Sequence, residues 1–231
     1  MTEATTPQAA STSRIPAVAA VSGAVCLLLG TLMHPMHADP SEPLAAFAEY
    51  AADEPWVLTH LVQLAGALLM LAAVALFARV LSPGSALLTQ FAAGVAAACA
   101  CALQAVDGIA LRNMVLAWSH ADGPDKPLLF ASAFGVRQIE IGMASVFALT
   151  GGLTVAVFAA LLCKETTFPR WLAALGMAAG LATSLGGLAM AYTGFSEFAM
   201  MINMPANLLL LVWVAAFAAF WLRRIGRGGF A

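Results

Sequence analysis

Arg137 and Glu140 stand three residues apart in Phe134-Gly-Val-Arg-Gln-Ile-Glu-Ile-Gly142, where a long apolar helix is expected to enter a membrane. Charges are expensive in that setting and are normally paired or turned toward a protein interior. The same spacing recurs in His60 with Gln63 and in Gln104 with Asp107. On a helix, residues at i and i+3 share a face. Farther along, Tyr192 is followed by Ser196 and Glu197, and Asn203 by Asn207 four residues later. Each of these lies toward one end of its apolar run, the outer end in the orientation derived below. The other halves are nearly all Ala, Leu, Val, Gly and Phe. A one-sided polar set drawn from five helices reads as a cavity opening outward.

The residue types point to acid–base chemistry. Partial burial favours the neutral form of a carboxyl group, and a neighbouring arginine favours the charged form. Asp107, Glu140 and His60 can thus hold different protonation states side by side, with Arg137 as counter-ion. These four are the catalytic candidates. Gln63, Gln104, Tyr192, Asn203 and Asn207 are the ligand-binding candidates, and the expected ligand is a small apolar or lipid-like molecule. The competing reading is structural. Arg137 would form an ionic knot with Asp107 or Glu140, and the amides would hydrogen-bond across helices for roughly 0.6 to 2 kcal/mol each. An ion path through the protein is disfavoured, because the inner halves offer no matching polar ladder.

A second chemistry is metal binding. His34 and His37 flank Met36, Met33 precedes them, and Met200, Met201 and Met204 fall on the same side. Histidine with thioether suits copper, and zinc becomes possible if a carboxylate joins. His34 could instead cap the first helix. A third reading is a non-catalytic partner or sensor subunit whose outer loops contact another protein. The chain has no Walker loop, nucleotide fingerprint, nucleophile elbow or zincin motif.

The elements that must position these residues follow from composition. The 231 residues are 62% hydrophobic and 10% charged, against about 25% charged in a soluble domain. Several runs reach the roughly 18 to 20 apolar residues that cross a bilayer. The expected fold is all-α, a polytopic bundle of six transmembrane helices plus a short interfacial helix, embedded in a lipid bilayer. Net charge is −2, which argues against a nucleic-acid partner. Cys26, Cys99, Cys101 and Cys163 lie in or beside apolar runs and read as small apolar filler.

In chain order, residues 1–13 are expected to be a disordered tail, residues 14–224 the transmembrane domain and residues 225–231 a second tail. The first span starts at Ile15 and ends near Met33, before Pro35 and Pro40. Residues 43–52 read as the interfacial helix, lying on the membrane. The second span is about Val57 to Leu81 and the third about Ala86 to Leu111. A polar loop follows from Arg112, with a helical extension as far as Trp118. The fourth helix runs from Pro127 toward Cys163, longer than one crossing requires. The fifth begins at Pro169-Arg-Trp and ends near Tyr192, and the sixth covers about Asn203 to Leu222. Gly176, Gly180 and Ser184 recur every fourth residue in the fifth span, a seam for close helix contact.

Six spans put both termini on one side. Arg14, Arg79, Lys164, Arg170, Arg223, Arg224 and Arg227 fall there, and Arg112, Lys126 and Arg137 fall opposite. The positive-inside rule then places both termini in the cytoplasm, with the chain in a bacterial inner membrane. All acids except Glu3 and Glu165, and all four histidines, lie toward the outer side.

Phe168-Pro-Arg-Trp-Leu172 before a Gly-rich span, and Met204-Pro-Ala-Asn-Leu208 before the last span, resemble a bacterial domain-of-unknown-function family of six-helix integral membrane proteins. His34-Pro-Met-His-Ala-Asp-Pro40, Leu103-Gln-Ala-Val-Asp-Gly108 and Ala191-Tyr-Thr-Gly-Phe-Ser196 extend the resemblance over most of the chain. It implies an architecture and carries no activity with it.

Overall fold

Six apolar segments become six helices, each long and apolar enough to cross a membrane. The computed structural model describes residues 13–227. Nearly all of the tail expected over residues 1–13, and the end of the one expected over 225–231, lie outside them. The first and second spans are α1 (Ile15–Met33) and α3 (Trp56–Phe77), joined through α2 (Pro43–Ala52). The third span is composite: α4 (Pro83–Gln104), a π-helical stretch (Ala105–Leu111) and α5 (Arg112–Ser119) form one continuous rod. The remaining spans are α6 (Asp125–Leu162), α7 (Arg170–Thr193) and α8 (Glu197–Gly226). The structure is 85% helical with no strand among the described residues.

Consecutive spans pack side by side, and α8 returns to α1, so the six close into a ring. At the end that carries the described chain ends, the ring is filled by aromatic side chains. Phe77, Phe158, Phe168, Trp213, Phe217 and Trp221 form one buried cluster there. Rings meet edge-on, as in Phe77 against Phe217 at 4.6 Å, an arrangement worth about 0.5 to 1.5 kcal/mol per pair beyond area burial. Small residues let the helices approach. A Cβ on Gly180 would fall 2.5 Å from the Ala156 nitrogen, so the expected seam of α7 lies directly on α6.

The third span has 37 residues and α6 has 38. At 1.5 Å per residue each is about 55 Å long, whereas a hydrocarbon core is about 30 Å thick. Both therefore protrude, and α2 docks on the protrusion. This changes two expectations. The helical extension expected to Trp118 runs to Ser119, which leaves only a short turn before α6. The apolar face of α2, expected on the membrane surface, is taken by protein instead: Ala46, Phe47 and Tyr50 are buried with Leu111, Val115, Trp118 and Ala133. A protruding helix pair offers α2 a dry, shaped surface that lipid headgroups cannot. The last span also begins earlier than expected, at Glu197, where the Ser196 hydroxyl accepts from the Ala199 N–H and caps the helix.

Candidate functional site

Between the aromatic plug and α2 lies a layer of buried polar side chains. Arg137 and Glu140, one turn apart on α6, are 6% and 3% exposed. The Arg137 Nη1 donates to both carboxylate oxygens, at 3.1 and 3.0 Å. Its Nη2 donates to the Pro40 carbonyl at 3.4 Å. The guanidinium also lies over the rings of Tyr50, at 5.3 Å, and Phe195, at 4.6 Å. One side chain thus ties α6 to the strap before α2, to α2 itself and to the turn between α7 and α8. Of the two ionic knots foreseen, Arg137 with Glu140 forms.

His60 on α3 is 1% exposed. Its Nδ1 donates to the Trp56 carbonyl at 2.7 Å, and its Nε2 lies 3.2 Å from Asp107 Oδ2. That contact is ion-pair close but off the line of an N–H bond, and Nε2 has no other partner among the described residues. Asp107 reaches α3 because it sits in the π-helical stretch, whose wider turn shifts the register of the helix. Gly108 permits the approach, since a Cβ there would fall 2.7 Å from His60 Cβ. Trp56 closes the loop by donating its indole N–H to the Asp107 carbonyl at 3.2 Å.

His34 lies beyond the end of α1 and joins this pair. Its ring is 5.2 Å from both Trp56 and His60, and its Nδ1 donates to the Pro35 carbonyl at 2.8 Å. Burial pushes its imidazole below the ordinary histidine range, and the neighbouring His60 pushes the same way. Burial likewise pushes the Tyr50 phenol up to about 12, with Arg137 opposing and Glu140 adding. Arg112 donates to the Tyr50 carbonyl, a cation at the C-terminal end of α2 where the helix dipole favours one. The Glu49 carboxylate accepts from the His37 and Ala38 N–H groups at 2.9 and 2.8 Å and pins the strap.

Several buried polar atoms in this layer make no hydrogen bond among the described residues: Asp53 Oδ2, Thr59 Oγ1, His60 Nε2, Gln104 Oε1 and Asp107 Oδ1. Native proteins leave few such atoms, and each one calls for an explanation. Of these residues Asp53 lines a depression of about 660 Å³, whose wall also includes Met33, His34, Met36 and Glu49.

The cluster is smaller than the five-helix vestibule read from the sequence. His60, Asp107, Arg137 and Glu140 do come together, and Gln104 lies close to His60 and Gly108. Tyr192 does not join them. It is 85% exposed, because α7 turns that position away from the ring. Asn207 is exposed as well. Asn203 is buried but spent on packing, donating to the Gly186 and Ala199 carbonyls at 3.1 and 2.9 Å. Gln63 lies against Gly30 in the seam between α1 and α3. His34 and His37 do not converge as ligands: His34 turns inward to His60, His37 is exposed, and no group of three or more His, Cys, Asp or Glu able to hold a metal occurs among the described residues.

Sequence reading missed Tyr50, Asp53, Thr59 and Phe195 as site residues. Thr59 did carry a signal, being a polar residue beside His60 in an apolar span. The others sit in loops and in α2, whose docking no spacing rule reveals.

A family model for a domain of unknown function, DUF4386, matches residues 15–224, and the chain belongs to that family. No curated protein and no solved structure matches it.

Proposed function

We propose that this member of the DUF4386 family is a membrane protein that binds a small amphipathic molecule at its α2 end and acts on it by acid–base chemistry. The observation that carries the reading is a group of unpartnered buried polar atoms, one of which, on Asp53, belongs to the wall of a depression, with His34 linking that wall to His60. Packing alone does not account for them, since an unsatisfied buried group costs about 1 to 3 kcal/mol. A ligand that supplied hydrogen bonds to Asp53, Thr59, Gln104 and Asp107 would offset that cost. Leu32, Met33 and Met36, exposed at the end of α1 beside the depression, would take the apolar part. α2 would act as the lid. Most basic residues lie at the opposite end, so the site faces away from the cytoplasm on the positive-inside rule.

The test is mass spectrometry of small molecules extracted from detergent-purified protein, wild type against Asp107→Asn. A stoichiometric amphiphile in the wild type, lost in the variant at unchanged elution volume and with only a small shift in thermal midpoint, supports the reading. A variant that fails to assemble would return Asp107 to a packing role. So would a wild type that retains nothing and whose melting is indifferent to added amphiphiles.

A further inference from the structure

We infer that His60 and Asp107 work as one unit that holds a single transferable proton, reached from the depression by way of His34. The argument starts from the Trp56 carbonyl, which can only accept. The imidazole Nδ1 at 2.7 Å from it must be the donor. A neutral His60 then carries its lone pair on Nε2, and that lone pair faces Asp107 Oδ2 at 3.2 Å. A lone pair against an ionised carboxylate oxygen is repulsive. The contact becomes attractive once one proton lies between the two atoms, either on Nε2 with Asp107 charged or on Oδ2 with His60 neutral. Both descriptions contain one proton, shared between the two side chains.

The surroundings match that task. His60 is 1% exposed and Nε2 has no other partner among the described residues, so the proton on that ring reaches solvent only past the Asp107 side chain, which is 14% exposed, or past the ring of His34. His34 lines the depression and its ring lies 5.2 Å from that of His60, tilted by 60°, so it stands between the pair and the depression. The other titratable groups that bear on it are Asp53 after α2, Tyr50 on α2, and Arg137 with Glu140 on α6. Arg137 and Glu140 largely cancel each other through their two hydrogen bonds. In the forward step the proton leaves the pair for a basic atom of the bound molecule, an oxygen or nitrogen lone pair, and the pair is left one unit more negative. Water in the depression then returns a proton, and the hydroxide it leaves diffuses out and is neutralised by bulk buffer. The chemistry named here rests on the binding reading only for what accepts the proton, because the pair holds it with or without a ligand.

The experiment is ¹⁵N-histidine NMR on the full chain in micelles, with His37→Ala and His120→Ala leaving only His34 and His60 of the four histidines. The expected result near neutral pH is a His60 Nε2 that carries or shares a proton, converted by Asp107→Asn into a neutral ring protonated on Nδ1 alone. In the His34→Phe variant, exchange of that proton with solvent should slow by about tenfold or more. A wild-type His60 with a bare Nε2 beside an ionised Asp107 would overturn the proton-holding unit, and unchanged exchange in His34→Phe would overturn the route. Neither outcome depends on whether an amphiphile is retained, so this inference and the binding reading fail separately.

Discussion

The two ends of the ring are built on opposite principles. At one end Phe77, Phe158, Trp213, Phe217 and Trp221 fill the space with rings, and even Trp213 satisfies its indole N–H, on the Leu172 carbonyl at 3.0 Å. At the other, charged and amide side chains share the space with rings, and several polar atoms make no hydrogen bond among the described residues. The first end is arranged for stability alone. Among the described residues unmet hydrogen bonding collects at the second, the pattern expected where function competes with stability. Arg137 is the exception within the second end, because it fastens four elements together and so belongs with the structural half.

Substitutions rank this contrast. Trp213→Ala at the dry end should have the largest effect, about 3 to 5 kcal/mol, read as a fall in thermal midpoint and loss of a monodisperse peak. A small effect there would erase the distinction between the ends. Next comes Arg137→Met, which strands Glu140 as an uncompensated buried charge and should cost about 3 kcal/mol. Adding Glu140→Leu should restore most of that loss. If the double variant stays as unstable as the single one, Arg137 acts through Tyr50, Phe195 and Pro40 rather than through the ion pair.

A smaller effect comes from pH. The Tyr50 phenol is held neutral up to about 12 against an ordinary value of 10.0. The unfolded chain releases its proton first, so stability is full below the ordinary value and falls as pH climbs from about 10 toward 12, by at most roughly 2 to 3 kcal/mol. In a Tyr192→Phe background, phenolate absorbance should appear only near the upper limit. Its appearance near 10 would mean that α2 is not docked in solution. Smallest of all is Asp107→Asn, expected to shift the thermal midpoint by the equivalent of about 1 kcal/mol or less, in either direction. A loss as large as that of Trp213→Ala would make the α2 end structural throughout.

Much of the fold was legible because the bilayer demands it. A segment that crosses hydrocarbon must satisfy its backbone internally and be long and apolar, and the six spans met both conditions residue by residue. The i,i+3 pairs were legible for the same reason, as were Arg137 with Glu140: buried charge in an apolar helix has few places to go. The reading failed where depth was used in place of direction. Tyr192 and Asn207 sit at the right level but face away from the ring, and Asn203 faces a neighbour's carbonyl. Which way a span is rotated depends on its neighbours, and span sequences of almost uniform hydrophobicity carry little trace of it.

By itself, then, the sequence determined that six helices cross a membrane and that their polar residues collect at one end. Tertiary structure alone decided that α2 docks on protruding helices, that a π-helical turn swings Asp107 onto His60, and that His34 joins them. Span formation depends on local hydrophobicity and backbone hydrogen bonding, which the sequence states outright. The polar layer depends on helix rotation and on contacts between residues far apart in the chain, and those are settled only when the ring closes.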